Sequence, residues 1–342
     1  MDLLPTLWFV AIAVLWTGYL FLEGFDLGVG MHLLFSARSE NQKRVMLNAI
    51  GPVWDGNEVW LITAAGATFA AFPMWYASLF SSLYLSLVFL LLGLIFRAVA
   101  IEFRGKGQSE RWMRGWDLAL GVGSLVSAFG IGAMLALTTT GIPIDANGDR
   151  VGGAFAWFSG YAIIGGLAVV GFSLVHAAAF LALKTDGEVR VFGRRFFRVA
   201  APIALLPLVA WVLGVQFARG TPVTWAVVVV AVIAAAWAWL ANRAGREGWS
   251  FLTLGIFLVA GAAAIFGAVY PVVLPSTLNE AWNLTIANAS STPYTLGVMT
   301  VVACVGLPLV LVYQGWTYWV FRKRVGGAHI PPAHPVTPAV RA

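Results

Sequence analysis

Four carboxylates lie in two apolar stretches of the sequence, where a membrane-spanning chain is expected to carry none. Glu23 and Asp26 fall in the first stretch, and Asp55 and Glu58 fall in the second. Each pair is spaced three residues apart, so on a helix both side chains of a pair lie on one face. A charge at the centre of a bilayer costs roughly 2.5–3.5 kcal/mol on insertion scales. Four such residues in neighbouring stretches therefore indicate a function.

Acidic side chains that share a low-dielectric region are suited to carrying protons. Four carboxylates there cannot all be ionised cheaply, so some are expected to hold a proton near neutral pH and to titrate together. Arg97, inside another apolar stretch, could neutralise one of them. Asn57 could donate and accept hydrogen bonds without titrating, and Trp54 and Trp60 could each donate an indole N–H. The pattern predicts a proton relay.

The same residues also have structural interpretations. Glu23 or Asp26 could form a buried ion pair with Arg97 whose role is only to hold helices together. Asp55 and Glu58 could be carboxylates at the start of a helix, where they favour the positive end of the helix dipole. Both alternatives remain open from the sequence alone.

Two histidines and two further acids need separate interpretation. His176 could ligate a haem or form a hydrogen bond between helices. A low-spin haem needs two facing ligands, and the other histidine in an apolar stretch, His32, lies near the end of that stretch. We therefore predict the hydrogen bond for His176. Glu102 and Asp117 lie at the ends of apolar stretches and are predicted to be interfacial.

The composition is that of an integral membrane protein. Hydrophobic residues make up 60% of the 342 positions, charged residues make up 11%, and the mean hydropathy is +0.84. A water-soluble chain of this length needs more charge to cover its surface. The first apolar stretch follows no basic segment, so we predict a retained span and not a signal peptide. Cys304 is the only cysteine, which excludes an intrachain disulfide and a thiolate metal cluster.

The apolar stretches predict an all-α integral membrane protein with nine transmembrane helices, joined mainly by short loops that favour antiparallel bundles. The predicted spans are about 6–35, 50–72, 76–103, 116–140, 154–183, 199–218, 222–241, 250–271 and 293–321. We predict a single polytopic membrane domain over residues 1–325 and a disordered tail, rich in Pro and Ala, over residues 326–342.

The basic residues predict the orientation of the chain. Of the 21 Lys and Arg residues, all but Arg97, Arg150 and Arg219 fall on one side of the nine-span topology. The positive-inside rule then places the N-terminus outside and the C-terminus in the cytoplasm. The net charge of +6 is explained by this topology, so nucleic acid is not expected as a partner.

Several segments resemble the signature segments of subunit II of cytochrome bd-type quinol oxidase. They are Glu23-Gly-Phe-Asp-Leu-Gly-Val-Gly30, Gly51-Pro-Val-Trp-Asp-Gly-Asn-Glu-Val-Trp-Leu61, Phe96-Arg97, His176-Ala-Ala-Ala-Phe with Lys184-Thr185, Tyr270-Pro through Leu274-Pro-Ser, and Asn288-Ala-Ser-Ser-Thr-Pro-Tyr-Thr-Leu296. The similarity extends to about Arg324. The Trp-Asp-Gly-Asn-x-Val-Trp-Leu run is the most specific of these segments.

This resemblance implies two four-helix bundles plus one peripheral helix. It also implies a heterodimer with a homologous subunit I, which carries two haem b and one haem d and oxidises quinol while oxygen is reduced to water. The present chain would be the haem-free subunit in a bacterial cytoplasmic membrane, where it supports subunit I and contributes proton uptake. Whether a small single-span subunit, quinol or lipid also contacts this chain is left open.

The resemblance also bears on individual residues. The family's acidic residue of the proton path in subunit II corresponds to Asp55, whereas Glu58 stands where many members carry Gln and Glu23 stands where Asp is familiar. We predict a proton path of Asp55, Glu58, Asp26, Glu23 and Asn57, with Arg97, His176, Trp54 and Trp60 as charge partner or structural residues. No catalytic, cofactor-binding or metal-binding residue is predicted in this chain.

Two other functions are considered. A proton-coupled secondary transporter could use similar acids, but such proteins usually show an internal repeat and discontinuous spans near the midplane. No clear repeat is present, and the acids lie toward one side. A purely structural scaffold would make the acids simple ion pairs.

Overall fold

The structure is a computed structural model that describes residues 3–107 and 109–327, and most of this part is helical. The helices are α1 (Leu3–Phe35), α2 (Glu40–Ile50), α3 (Trp54–Ala71), α4 (Pro73–Ser82), α5 (Tyr84–Phe103), α6 (Glu110–Thr140), α7 (Gly160–Lys184), α8 (Glu188–Ala204), α9 (Leu206–Arg219), α10 (Pro222–Arg243), α11 (Glu247–Val269) and α12 (Pro293–Val320). Two short antiparallel strands, β1 (Val272–Leu274) and β2 (Leu284–Thr285), lie between α11 and α12. The predicted all-α class is confirmed.

Side-chain caps mark where several helices begin. The hydroxyls of Ser39, Ser109 and Ser159 accept hydrogen bonds from backbone N–H groups in the first turns of α2, α6 and α7. Thr221 and Thr292 do the same for α10 and α12, and each is followed by a proline. Both features suit helix starts, because the first N–H groups have no partner inside the helix and proline lacks that group.

Within the described residues, eight segments are long and apolar enough to cross a membrane. They correspond to all the predicted spans except 50–72, where the structure has the 18-residue helix α3. The polar side chains of Asp55, Asn57 and Glu58 make α3 less apolar than the other segments. The count of nine therefore stays a prediction.

The boundaries also differ in places. The predicted span 199–218 corresponds to α8 and α9, which follow one another from Glu188 to Arg219. Helix α2 and the first half of α8 were not predicted, because both are rich in charged residues.

The connections that carry most Lys and Arg residues meet at one end of the helices, which we call the basic end. There, Arg104 pairs with Glu40, and Gln42 donates a hydrogen bond to Glu188. Lys184 donates to backbone carbonyls just after α12. At the opposite end, the chain after α6 contacts the segment after β1, and Ser291 bonds to the end of α3. This grouping agrees with an antiparallel arrangement.

Helix α1 is central and packs against α3, α6 and α7. Gly28 allows the close approach of α7, because a Cβ there would lie 1.9 Å from the carbonyl oxygen of Ser173. Small residues at such crossings are how membrane helices pack closely. Helix α12 is peripheral: of its residues, all within the described part of the chain, Leu296 alone is buried.

The predicted tail begins at 326, and residues 328–342 lie outside the described residues. Just before it, Val325 is held by the end of α7, since its N–H donates to Lys184 and its carbonyl accepts from Asp186.

Candidate functional site

A buried charged cluster lies where α1, α3 and α5 meet. Arg97 on α5 and Glu23 on α1 are both fully buried, and Nη2 of Arg97 lies 2.5 Å from Oε1 of Glu23. Nη1 of Arg97 lies 3.5 Å from Oε2 of Glu58 on α3, whose side chain is 19% exposed. A buried arginine without a counter-charge is strongly destabilising, so two acids on different helices hold it in place.

Close helix packing puts Arg97 at this depth. Gly93 on α5 and Gly123 on α6 face one another, and a Cβ on Gly123 would lie 2.5 Å from the carbonyl oxygen of Gly93. The same Cβ would lie 3.3 Å from the Cβ of Arg97. The two glycines therefore let α6 pack against the Cβ of Arg97, and the arginine side chain extends toward α1 and α3.

Asn57 on α3 connects this cluster to a second set of polar groups. Its side-chain Nδ2 donates to Oδ2 of Asp26 at 2.7 Å and to the carbonyl oxygen of Leu22 at 3.1 Å. Its Oδ1 accepts from Nε2 of Gln314 at 3.0 Å and from the hydroxyl of Tyr318 at 2.8 Å. All four hydrogen bonds come from or go to helices other than α3, so Asn57 joins α1 to α12.

The orientation of this network follows from Trp60. An indole N–H can only donate, and Nε1 of Trp60 lies 2.9 Å from Oε1 of Gln314. The amide nitrogen of Gln314 must then face Asn57, and the amide nitrogen of Asn57 must face Asp26. Asp26 therefore accepts through Oδ2.

Several carboxyl oxygens of the cluster remain available to bind a proton. Oδ1 of Asp26 and both carboxyl oxygens of Glu23 are buried and accept no N–H or hydroxyl hydrogen bond from the described residues, but the two carboxyl groups lie close enough to share a proton with each other. The contact between Arg97 and Glu23 is short, but it is not aligned as a hydrogen bond. Buried acids that are this short of donors are suited to binding a proton.

Asp55 lies apart from the buried cluster. It is exposed in the first turn of α3, and within the described part of the chain its side chain has no ion pair or hydrogen bond. It does interact electrostatically with Glu58, one turn further along the helix. The exposed Asp55, the half-buried Glu58 and the buried Glu23 and Asp26 therefore form a series of increasing depth.

The remaining candidates have structural surroundings. Nε2 of His176 lies 2.8 Å from the carbonyl oxygen of Phe21, so the ring links α7 to α1. The ring also stacks between Phe172 and Phe251, with centroid distances of 5.0 and 4.8 Å. Trp54 is buried at the start of α3.

Tyr19 is a member of the cluster that the sequence analysis missed. It is fully buried on α1, and its hydroxyl has no hydrogen-bond partner among the described residues. It interacts electrostatically with Glu23 and Arg97. Its position four residues before Glu23 was the available signal, because that spacing puts both side chains on one helix face.

Asp117, which was predicted to be interfacial, is buried among cations of the basic end. Its Oδ1 lies 2.5 Å from Nε of Arg104, and its Oδ2 lies 2.7 Å from Nζ of Lys43. Arg104 also makes two hydrogen bonds to Glu40, at 2.9 and 2.7 Å. These contacts fix α2 and α6 to the end of α5. Glu102, for which the same position was predicted, is exposed.

The chain is similar to known proteins over nearly its whole length. Residues 4–321 match a sequence model of the family described as cytochrome bd terminal oxidase subunit II. Subunit 2 of the cytochrome bd ubiquinol oxidase of Bacillus subtilis is 39% identical over 330 residues, which cover 95% of this chain and 98% of the relative. Subunit 2 of the cytochrome bd-I ubiquinol oxidase of Escherichia coli K12 is 31% identical over 366 residues, covering 95% and 96%.

The fold is also that of a solved relative. A chain in the structure of bd oxidase from Geobacillus thermodenitrificans superposes with a TM-score of 0.76 at 20% sequence identity, covering 94% of this chain and 99% of that one.

Proposed function

This chain belongs to the cytochrome bd terminal oxidase subunit II family, and we propose that it conducts protons toward a haem-bearing subunit I and supports that subunit. As a family member it is part of a quinol:oxygen oxidoreductase. Reduction of oxygen to water consumes protons, and the buried acids form a route by which protons are taken up. The family assignment replaces the alternative of a secondary transporter.

The observation that carries this proposal is the graded series of acids. A proton enters at Asp55, which is exposed, and passes to Glu58, which is half-buried and close to Arg97. It then reaches the fully buried carboxyl groups of Glu23 and Asp26. Arg97 stabilises one negative charge in the series, so a single proton can move without leaving two uncompensated carboxylates.

Asn57 keeps the inner end of the route in a fixed geometry. Because its amide nitrogen donates to Oδ2 of Asp26, a proton on Asp26 resides on Oδ1, the oxygen that accepts no N–H group of the described residues. The route is thereby directed away from α12 and toward Glu23.

The histidines of the described residues do not fit a haem with two imidazole ligands. Nε2 of His176 is bonded to the carbonyl oxygen of Phe21, and Nε2 of His32 is 2.9 Å from the carbonyl oxygen of Leu174. Nε2 of each imidazole is thus already hydrogen-bonded to a neighbouring helix. We place the two haem b and one haem d of the complex, which supply its redox chemistry, in subunit I.

The arrangement in the membrane follows from the same family assignment. We propose that α3 is the ninth span, that the N-terminus lies outside, and that the basic end faces the cytoplasm of a bacterial cell. In this arrangement α1, α3, α5 and α6 form one bundle, α7, α8–α9, α10 and α11 form the second, and α12 is peripheral. The exposed apolar faces of α3 and α12 then offer a surface for subunit I.

The test is Asp55→Asn in the complex purified from membranes, with Glu102→Gln as a control that neutralises another exposed acid. Oxygen consumption with a soluble quinol is measured at matched haem content, together with proton uptake after an oxygen pulse. Loss of a proton-transfer group is expected to lower turnover about tenfold or more in Asp55→Asn alone. An assembled Asp55→Asn complex with normal turnover and uptake would reject the relay and leave the scaffold function.

A further inference from the structure

A surface groove of about 690 Å³ lies at the basic end, and none of the acids of α3 lines it. It runs between the C-terminal end of α1, the start of α2 and one face of α8. Phe192 and Phe196 form part of its wall, and both rings pack edge-on against His32, with centroid distances of 5.1 and 4.5 Å. The groove is therefore supported by the core of the bundle.

Two arginines line this groove without a partner. Arg38 and Arg195 are exposed, and their side chains make no ion pair or hydrogen bond within residues 3–107 and 109–327. The acid in the groove, Glu188, accepts a hydrogen bond from Nε2 of Gln42 at 2.7 Å. The groove thus carries two cations against one acid, and that acid is already hydrogen-bonded.

Two of the other three arginines of α8 are different. Arg190 and Arg194 face α11, where both lie within 4 Å of the carboxylate of Glu247, at 2.8 and 3.8 Å. Helix α8 therefore has one basic face whose charge is compensated inside the protein and a second, at Arg195, whose charge is not.

Apolar side chains continue the groove along α8 in one direction. Val191, Arg195, Val199 and Ile203 are spaced four residues apart, so they form one stripe along the helix. The three apolar members are 66%, 67% and 72% exposed. Ile203 lies about 12 Å beyond Arg195 at the helical rise, on a segment apolar enough to cross a membrane. The stripe thus runs from a basic end into an apolar band.

We propose that this groove binds one anionic phospholipid, with its phosphate between Arg38 and Arg195 and an acyl chain along Val199 and Ile203. The charge calls for an anion, and the apolar stripe calls for a hydrocarbon chain joined to it; a phospholipid has both. Basic pockets at helix ends bind anionic headgroups in this way. The residues after 327 carry Arg341 and no acidic side chain, so charge does not favour them as the occupant. The site does not depend on the proton route.

The experiment is native mass spectrometry of the detergent-purified complex, titrated with phosphatidylglycerol or with phosphatidylcholine. The double variant Arg38→Gln/Arg195→Gln is compared with Arg111→Gln/Arg114→Gln, which removes the same charge from α6 at the same end. Each arginine near an anionic headgroup is expected to contribute about fivefold to the preference for phosphatidylglycerol. The first double variant should lose a preference of roughly 25-fold, and the second should keep it.

Two further measurements identify the ligand. Arg38→Lys/Arg195→Lys keeps both charges and should retain most of the preference, which guards against a loss caused by misfolding. Inorganic phosphate at millimolar concentration should not displace the lipid, because it lacks the acyl chain. Displacement by phosphate would overturn the lipid assignment in favour of a simple anion site. Equal retention of the two lipids by the unmodified complex would overturn the site altogether.

Discussion

Asn57 donates a hydrogen bond from Nδ2 to Oδ2 of Asp26 over 2.7 Å, and this contact joins α3 to α1 inside the protein. The orientation of the asparagine is set from the other side by Gln314 and Tyr318 of α12, both of which donate to its Oδ1. A peripheral helix thereby determines which oxygen of a central acid is available. Trp8 and Trp60 also donate hydrogen bonds to α12, so the attachment of this helix and the geometry of Asp26 are linked.

Tyr318→Phe is predicted to lower quinol oxidase turnover, because it removes one of the two donors that orient Asn57. A single neutral hydrogen bond contributes about 0.5–1.5 kcal/mol, so a loss of roughly two- to tenfold is expected. Combining it with Gln314→Leu removes both donors and should cost more than the product of the two single effects, since the amide can then rotate. The measurement is oxygen consumption at matched haem content.

The control for this series is Tyr313→Phe, five residues earlier on α12 and 66% exposed. It removes the same hydroxyl from the same helix without touching Asn57, and it should leave turnover unchanged. Equal effects of Tyr313→Phe and Tyr318→Phe would show that the network has no part in orienting Asp26.

Arg97→Leu is predicted to prevent assembly of the complex. The arginine is fully buried between Glu23 and Glu58, and removing one partner of a buried pair costs roughly 3–5 kcal/mol because a charge remains uncompensated. The charge-balanced double variant Arg97→Leu/Glu23→Leu should recover part of the yield of assembled complex. A double variant that assembles no better than Arg97→Leu would show that charge balance is not what the arginine supplies.

Glu23→Gln and Asp26→Asn are predicted to act on different quantities. Glu23 makes the short contact with Arg97, so its neutralisation should lower the thermal stability of the complex. Asp26 contacts Asn57 and the carboxyl group of Glu23 and makes no ion pair within the described residues, so Asp26→Asn should lower turnover more than stability. The check is a thermal unfolding curve and a turnover measurement on each variant. If Glu23→Gln lowered mainly turnover and Asp26→Asn lowered mainly stability, the proposed roles of the two acids would be exchanged.

The acids of this site could be predicted from the sequence, whereas their partners could not. Spacing alone put Glu23 and Asp26 on one helix face, and Arg97 was foreseen as a counter-charge. Gln314 and Tyr318 were not foreseen, since each lies more than 250 residues from Asn57 in the chain. Local periodicity carries no information about such distant contacts.

The fold, too, was predicted from the sequence only in part. Long apolar runs predicted eight of the candidate spans, but α2 and the first half of α8 were missed because amphipathic helices lack such runs. Asp117 was assigned to an interface because it stands at the end of an apolar run. It is buried because Lys43, 74 residues away, and Arg104 close over it. Only packing determines whether an acid at a helix end meets water or cations.

Asp117→Asn is predicted to destabilise the complex without changing turnover at matched haem content. Asp117 accepts from Lys43 and Arg104, and hydrogen bonds to charged groups contribute about 1.5–3 kcal/mol. The measurement is the thermal midpoint of the purified complex. Asp149→Asn, at an exposed acid of the connection after α6, is the control and should leave the midpoint unchanged. A lower turnover in assembled Asp117→Asn would instead place this residue on the proton route.

Gly28→Val is predicted to impair both assembly and turnover, because α1 and α7 can no longer approach. Even one Cβ at Gly28 would lie 1.9 Å from the carbonyl oxygen of Ser173 and 2.5 Å from the Cβ of Ala177. Backbone and a short side chain cannot move aside, so α1 must shift, and Asp26 and Glu23, two and five residues away on the same helix, shift with it. Gly297→Val on α12 is the matched control, since a Cβ there would meet nothing within 4 Å. The yield of assembled complex and its turnover are measured for both variants. If the two valines have the same effect, the cost lies in placing a branched residue in a helix, and the contact between α1 and α7 does not set the position of the acids.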